Sequence, residues 1–169
     1  MYYGNIKEFA IEDGEGIRTV LFVSGCTHRC RGCFQPETWD FSYGKPYTEE
    51  TERYILDSLA PDYIEGLTVL GGEPMEPENQ ETVLSLIRKV KERFPEKNVW
   101  IYTGYTLEQL TGEQGSRAAT VTAKEILSIA DVLVDGEFIE EEKDPSLDFR
   151  GSRNQRIIDL KKVQAGILK

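Results

Sequence analysis

An α/β fold with a mostly parallel sheet, shaped as an open partial barrel, is what three features of the sequence predict. Strand-like and helix-like stretches alternate after the cysteines near residue 30, the pattern of parallel strands joined by crossover helices. Glycine turns close strand-like stretches at Gly71-Gly72, Gly104 and Gly136, and in parallel architectures such strand ends share one mouth. The chain has 169 residues, too few for a closed eight-stranded barrel of roughly 250. It is long enough for a single domain spanning 1–169 around one core.

Residues 2–11 mix aromatic and aliphatic residues with polar ones and predict a first strand. Asp13-Gly14-Glu15-Gly16 is a turn. Thr19 to Ser24 is short, mostly apolar and β-branched or aromatic, which suits a buried strand. Residues 41–47, with Gly44 and Pro46, form a loop. Thr48 is the N-cap of a helix with Glu49 and Glu50 in its first turn, running to about Leu59 with Ile55 and Leu59 inward. Pro61 stops it. Gly66 to Leu70 is the next strand.

Val83, Leu86, Ile87, Val90 and Phe94 recur at helical spacing, and Pro95 ends that helix. Asn98 to Thr103 is a strand, and Thr106 with Gln109 is a capping box for a short helix. Residues 111–120 contain Gly112, Gly115 and Ser116 and predict a flexible connection. Thr122 with Glu125 starts another capped helix carrying Ile126, Leu127 and Ile129. Asp131 to Val134 is a strand. Arg150 to Leu160 gives a loop and a last strand, and no internal repeat is present.

Apolar residues make up 39% of the chain and charged residues 30%, an ordinary globular composition. Net charge is −10, which argues against nucleic-acid binding, since that needs a basic footprint. The acidic run from Glu137 to Asp144 predicts a solvated loop or helix face. No apolar run approaches the roughly 20 residues of a membrane span, and the N-terminus lacks the features of a signal peptide. No membrane association and a cytoplasmic location are therefore expected. Closely spaced cysteines in such a chain favour metal binding or catalysis over disulfides.

All three cysteines sit in the loop 24–35, as Cys26-Thr27-His28-Arg29-Cys30-Arg31-Gly32-Cys33. Thiolates this close in sequence can converge on one centre, and soft sulfur ligands select zinc, Cu(I) or iron–sulfur clusters. A [4Fe–4S] cluster normally takes four cysteines; with three, one iron stays open to a substrate or cofactor. His28 offers a Cys3His zinc site as an alternative, but its place between two cysteines favours a loop residue that binds no metal. Trp39 and Trp100 are expected in the core or at its rim.

The cysteine spacing and its flanks, Asp13-Gly14-Glu15-Gly16-Ile17-Arg18 before and Phe34-Gln35-Pro36-Glu37-Thr38-Trp39 after, resemble the radical S-adenosylmethionine (radical SAM) superfamily. Within it the chain resembles the activating enzymes of glycyl-radical enzymes, most closely the anaerobic ribonucleoside-triphosphate reductase activating family. Gly32 before the last cysteine points to that branch. Glu15 departs from it, standing where relatives commonly carry proline.

The resemblance implies the open partial (β/α) barrel of the radical SAM type. It implies one [4Fe–4S] cluster held by Cys26, Cys30 and Cys33, with S-adenosylmethionine (SAM) on the fourth iron. Gly71-Gly72-Glu73-Pro74 looks like the motif that binds the methionine amino group through backbone oxygens and the acidic side chain. Gly32, Cys33 and Phe34 resemble the segment whose backbone contacts the adenine. Thr103 and Asp135, at strand ends beside Gly104-Tyr105 and Gly136, become candidates for the SAM pocket wall.

The implied reaction is reductive cleavage of SAM to a 5′-deoxyadenosyl radical, which takes a hydrogen from a glycine of the reductase. No catalytic side chain beyond cluster and SAM is required. The implied partners are the reductase as protein substrate and a one-electron donor such as flavodoxin or ferredoxin. The alternatives are another glycyl-radical enzyme, a small-molecule substrate, or a non-catalytic iron–sulfur or zinc module. Arg150 to Arg156 resembles a segment near the active-site mouth. There Asn154 and Gln155 have ligand or backbone as alternative partners, and Arg153 and Arg156 are as readily surface charges.

Overall fold

A computed structural model describes residues 1–166. The strands are β1 (Tyr2–Ala10), β2 (Ile17–Val23), β3 (Lys45–Pro46), β4 (Ile64–Gly71), β5 (Asn98–Tyr102), β6 (Val132–Asp135) and β7 (Arg156–Asp159). The helices are α1 (Glu49–Ser58), α2 (Pro77–Arg93), α3 (Leu107–Thr111), α4 (Val121–Ile129) and α5 (Leu160–Gly166). One sheet runs in the order β3-β1-β2-β4-β5-β6-β7. Its centre, β2-β4-β5-β6, is parallel, while β1 and β3 on one side and β7 on the other are antiparallel. The expected α/β class with a mostly parallel sheet is therefore present. No helix among the described residues is long and apolar enough to cross a membrane.

The period of two along each strand gives the sheet two different faces. Leu21 and Val23, Leu67 and Val69, Val99 and Ile101, and Leu133 point to one side, where they join the hydrophobic core. Helices supply the other half of that core. Ile55 and Leu59 come from α1 and its C-cap, Val83, Leu86, Ile87 and Val90 from α2, and Ala123, Ile126 and Leu127 from α4. The alternate residues, Phe22, Leu70, Tyr102 and Val134, line a cavity on the opposite face. Registers Phe22↔Leu70 and Tyr102↔Val134 bring them together near the C-terminal ends of the parallel strands.

Lower on that second face lies Arg18, fully buried and, among the described residues, without a carboxylate partner. Its Nε donates to Thr68 Oγ1 at 2.8 Å, Nη1 to the Glu15 carbonyl at 2.9 Å and Nη2 to the Leu67 carbonyl at 3.0 Å. Burial lowers its pKa to about 10. Hydrogen bonds to carbonyl dipoles and the Trp100 ring, 5.5 Å from the guanidinium carbon, offset the cost of burying the charge. Thr68 Oγ1 also donates to the Asp13 carbonyl at 2.7 Å, so the turn 13–16 is tied to β4 from both ends.

Four local expectations change. Within residues 41–47, expected to be a loop, Lys45–Pro46 form β3, because they pair with Tyr2 and Tyr3 of β1. The cap of α4 is Thr120, whose side chain accepts from Ala123 N, because starting two residues earlier brings Val121 into the helix and leaves Thr122 free to bond Glu81. Residues 111–120 are anchored: Gln80 Nε2 donates to the Ala118 carbonyl at 3.0 Å, and Ala118 is fully buried. The last strand ends at Asp159, whose Oδ1 accepts from Lys161 N at 3.0 Å and Lys162 N at 3.2 Å, so Leu160 opens α5. That reversal is a side-chain cap, which the apolar pattern of Ile157, Ile158 and Leu160 masks.

Ile87 is fully enclosed between α2 and the sheet. Ile87→Ala is expected to destabilise the metal-free chain by about 2–5 kcal/mol, seen as a lower urea midpoint with an unchanged slope.

Candidate metal and cofactor site

The loop after β2 is laced to the ends of its neighbours. Gly25 N donates to the Thr38 carbonyl at 2.7 Å and Cys26 N to the Trp39 carbonyl at 3.2 Å. From β4, Gly72 N donates to the Val23 carbonyl at 2.8 Å and Glu73 N to the Gly25 carbonyl at 2.7 Å. Gly72 is required by this crowding, since a Cβ there would lie 2.7 Å from the Gly25 oxygen and 2.8 Å from the Thr38 oxygen. Cys26, Cys30 and Cys33 are unpaired thiols, and all three line the cavity, whose volume is about 710 Å³. Cofactor sites have this size.

Glu73 is the hub beneath them, with only 1% of its surface exposed. One carboxylate oxygen accepts from Met75 N at 2.8 Å and Thr103 Oγ1 at 2.7 Å. The other accepts from Gly104 N at 2.7 Å and bonds His28 Nε2 at 2.8 Å. Gly104 matters because a Cβ there would meet the His28 ring at 2.6 Å. His28 Nδ1 lies 3.1 Å from Glu137 Oε1. Burial alone would lower the imidazole pKa, but bonds to and charge from Glu73 and Glu137 raise it to about 8. With both ring nitrogens committed, His28 is not free to complete a Cys3His zinc site.

A second buried carboxylate, Glu76, is fully enclosed. It accepts from Thr27 N at 2.6 Å, Tyr105 Oη at 2.6 Å and Arg117 Nη1 at 2.7 Å. Asn79 Nδ2 donates to the carbonyls of Ser24 and Glu73, both at 3.0 Å. Glu76, Asn79 and Arg117 escape sequence reasoning, because polar residues at a helix start read as caps and an arginine in a glycine-bearing connection reads as surface.

Burial and then the Glu73 charge push the Cys26 thiol up to about 12, and burial raises Cys30 as well. Metal ligation replaces those protons with positive charge. Among the described residues, no three His, Cys, Asp or Glu side chains converge as one metal ion would require. Thiols arranged around a shared cavity fit a cluster that takes each sulfur on a different iron. Among the described residues, buried side-chain atoms without a hydrogen-bond partner include Trp39 Nε1, Tyr102 Oη and Arg150 Nε. All three residues line the cavity, but through other atoms, since these three are closed off from solvent.

Of the other expected site residues, Gly71, Gly72, Glu73, Phe34 and Thr103 line the cavity. Phe34 is 67% exposed at the mouth, its ring centroid 5.1 Å from that of Phe138 and its face 5.3 Å from Lys143 Nζ. Gly32 and Pro74 lie beside the cavity without lining it. Asp135 is a correction, for its side chain turns away from the wall. Its carboxylate accepts from Leu107 N at 2.8 Å and Arg156 Nε at 2.9 Å, tying β6 to the start of α3 and to β7. Asn154 Nδ2 and Gln155 Nε2 bond the carbonyls of Glu137 and Gly136, so both serve the backbone. The acidic run is a short 3-10 turn at Glu140–Glu142 that meets Arg31 of the cysteine loop through Glu140 at 3.1 Å.

Thr103→Val keeps the shape of the side chain and removes one of four donors to the buried Glu73 carboxylate. It is expected to cost about 1–3 kcal/mol, checked by urea denaturation of the metal-free chain. Arg156 also donates to Glu108 at 2.7 Å, and that bond holds the Glu108 carboxyl below its ordinary value. A depressed folded-state pKa contributes stability above the unfolded value that is lost as pH falls through the folded one. Arg156→Met is therefore expected to lose more stability at neutral than at acid pH. The Glu108 share is at most about 1 kcal/mol on so exposed a group, and denaturation curves at both pH values check it.

Comparison with known proteins shows the family. Residues 12–158 match the family model described as a 4Fe-4S single cluster domain. A protein of Vibrio cholerae serotype O1 is 43% identical over 159 residues, covering 93% of this chain and 97% of that one. One of Escherichia coli K12 is 36% identical over 163 residues, covering 95% and 100%. One of Enterobacteria phage T4 is 38% identical over 157 residues, covering 93% of each. All three are named anaerobic ribonucleoside-triphosphate reductase-activating protein. With the cluster-domain match spanning the cysteine loop and every strand of the parallel centre, and with relatives aligned over nearly their whole length, this chain belongs to the anaerobic ribonucleoside-triphosphate reductase-activating protein family.

Proposed function

We propose that this protein is a radical SAM enzyme that activates anaerobic ribonucleoside-triphosphate reductase by generating a glycyl radical on it. The observation that carries the reading is the meeting of Cys26, Cys30, Cys33 and the Gly71-Gly72 backbone on one cavity at the ends of parallel strands. Residues 1–169 act as one radical SAM domain in an open partial barrel, with 24–35 as the cluster loop. Cys26, Cys30 and Cys33 hold three irons of a [4Fe–4S] cluster and leave the fourth for SAM. When bound, cluster and SAM supply reductive cleavage of the sulfonium and hydrogen-atom abstraction from a glycine Cα of the reductase.

The chain's own residues bind and orient. Gly72 has no side chain, which lets the backbone of the cysteine loop lie directly against it. The Glu73 carboxylate is spent on four protein donors, so its part is to fix the strand ends, leaving backbone oxygens of the Gly71-Pro74 stretch to meet the methionine amino group. Cys33 and Phe34 stand on the adenine side with Gly32 behind them, and Thr103 closes the wall. Phe34, exposed at the rim, is in the path of an incoming polypeptide. The electron comes from a small cytoplasmic donor such as flavodoxin or ferredoxin.

Anaerobic reconstitution with iron and sulfide, dithionite reduction and addition of SAM are expected to yield 5′-deoxyadenosine. With the reductase present, a glycyl radical is expected by electron paramagnetic resonance, and Cys30→Ala is expected to abolish both signals. A fully loaded cluster that never cleaves SAM, even beside the reductase, would sink this reading.

A further inference from the structure

Glu76 directly precedes α2, in the N-cap position, yet its side chain makes no cap bond to its own helix. It reaches across to the peptide unit that links Cys26 to Thr27 and accepts that N–H at 2.6 Å. The carboxylate is fully enclosed, and its other partners are the Tyr105 hydroxyl and the Arg117 guanidinium. Arg117 is 47% exposed and spans Glu76 and Glu78, with Nη2 donating to Glu78 Oε1 at 2.9 Å. An enclosed charge is thus placed one peptide from a cysteine, with its counter-charge on the opposite, solvent side.

We propose that Glu76 is a positioning residue of the cysteine loop, and that the Glu76–Arg117 pair sets the reduction potential of the cluster held there. The inference rests on the reading of Cys26, Cys30 and Cys33 as cluster ligands. The bond to Thr27 N fixes the backbone immediately after the first ligand, on a loop whose neighbouring segments are glycine-bearing. A fixed negative charge in a water-poor site also disfavours the extra electron of the reduced cluster, and nearby charge and exposure are established levers on such potentials. Removing Glu76 charge therefore makes the cluster easier to reduce. Removing Arg117 charge makes it harder.

The test uses this pair of opposite changes. Wild-type, Glu76→Gln and Arg117→Gln chains are reconstituted anaerobically, iron per chain is measured, and midpoint potentials are read by mediator titration with electron paramagnetic resonance. The expected result is unchanged iron content, a positive shift for Glu76→Gln and a negative shift for Arg117→Gln. Potentials equal to wild type in both variants, or shifts of the same sign, overturn the inference while leaving the cluster reading intact. A wild-type chain that assembles no cluster overturns that underlying reading instead. If Glu76→Gln does not fold, the half-exposed Arg117 decides alone: an unmoved or raised potential in Arg117→Gln overturns the inference.

Discussion

The Glu73 carboxylate is the constraint on which the site depends. Its four hydrogen bonds come from the turn after β4, the end of β5 and the cysteine loop. Three segments distant in sequence are thereby held to one point. An ionised carboxylate buried without partners would cost far more than a domain's net stability can absorb. Full satisfaction turns that liability into specification, since any displacement of His28, Thr103 or Gly104 strands part of the charge. Glu76 repeats the device on the other side of Cys26 with Thr27, Tyr105 and Arg117.

The sheet makes this possible by dividing labour between its faces. One face is sealed by α1, α2 and α4 into an apolar core, which fixes strand spacing and register. The other is left to Arg18, Thr68 and Trp100 near its base and to a cavity at the strand ends. The parallel centre aims the C-terminal ends of β2, β4 and β5 the same way, so the three turns that follow them become neighbours. The antiparallel edge strand β7 then carries the chain back past the mouth, and Arg156 locks it through Asp135 and Glu108.

The segment between β6 and β7 completes the enclosure. Glu137 meets His28, Phe138 meets Phe34, and Glu140 meets Arg31, so this segment and the cysteine loop share one surface at the cavity mouth. Most of these contacts are exposed ion pairs and a tilted aromatic contact, individually weak. That side of the site is held more lightly than the side built on Glu73 and Glu76.

The sequence by itself determined the α/β class, nearly every element and the cysteine loop, because those depend on local signals. Apolar spacing marked α2, capping residues marked α1 and α3, and the three cysteines within eight residues marked the centre. Glycines at strand ends flagged the turns that line the cavity. Only the tertiary structure decided what each polar side chain does there, because hydrogen-bond partners 21 to 109 residues apart leave no local trace. Asp135 and Glu73 both stand at strand ends as acidic residues beside glycine. One turns to Arg156 and a helix start, the other to the cysteine loop, and pleat and packing make that choice.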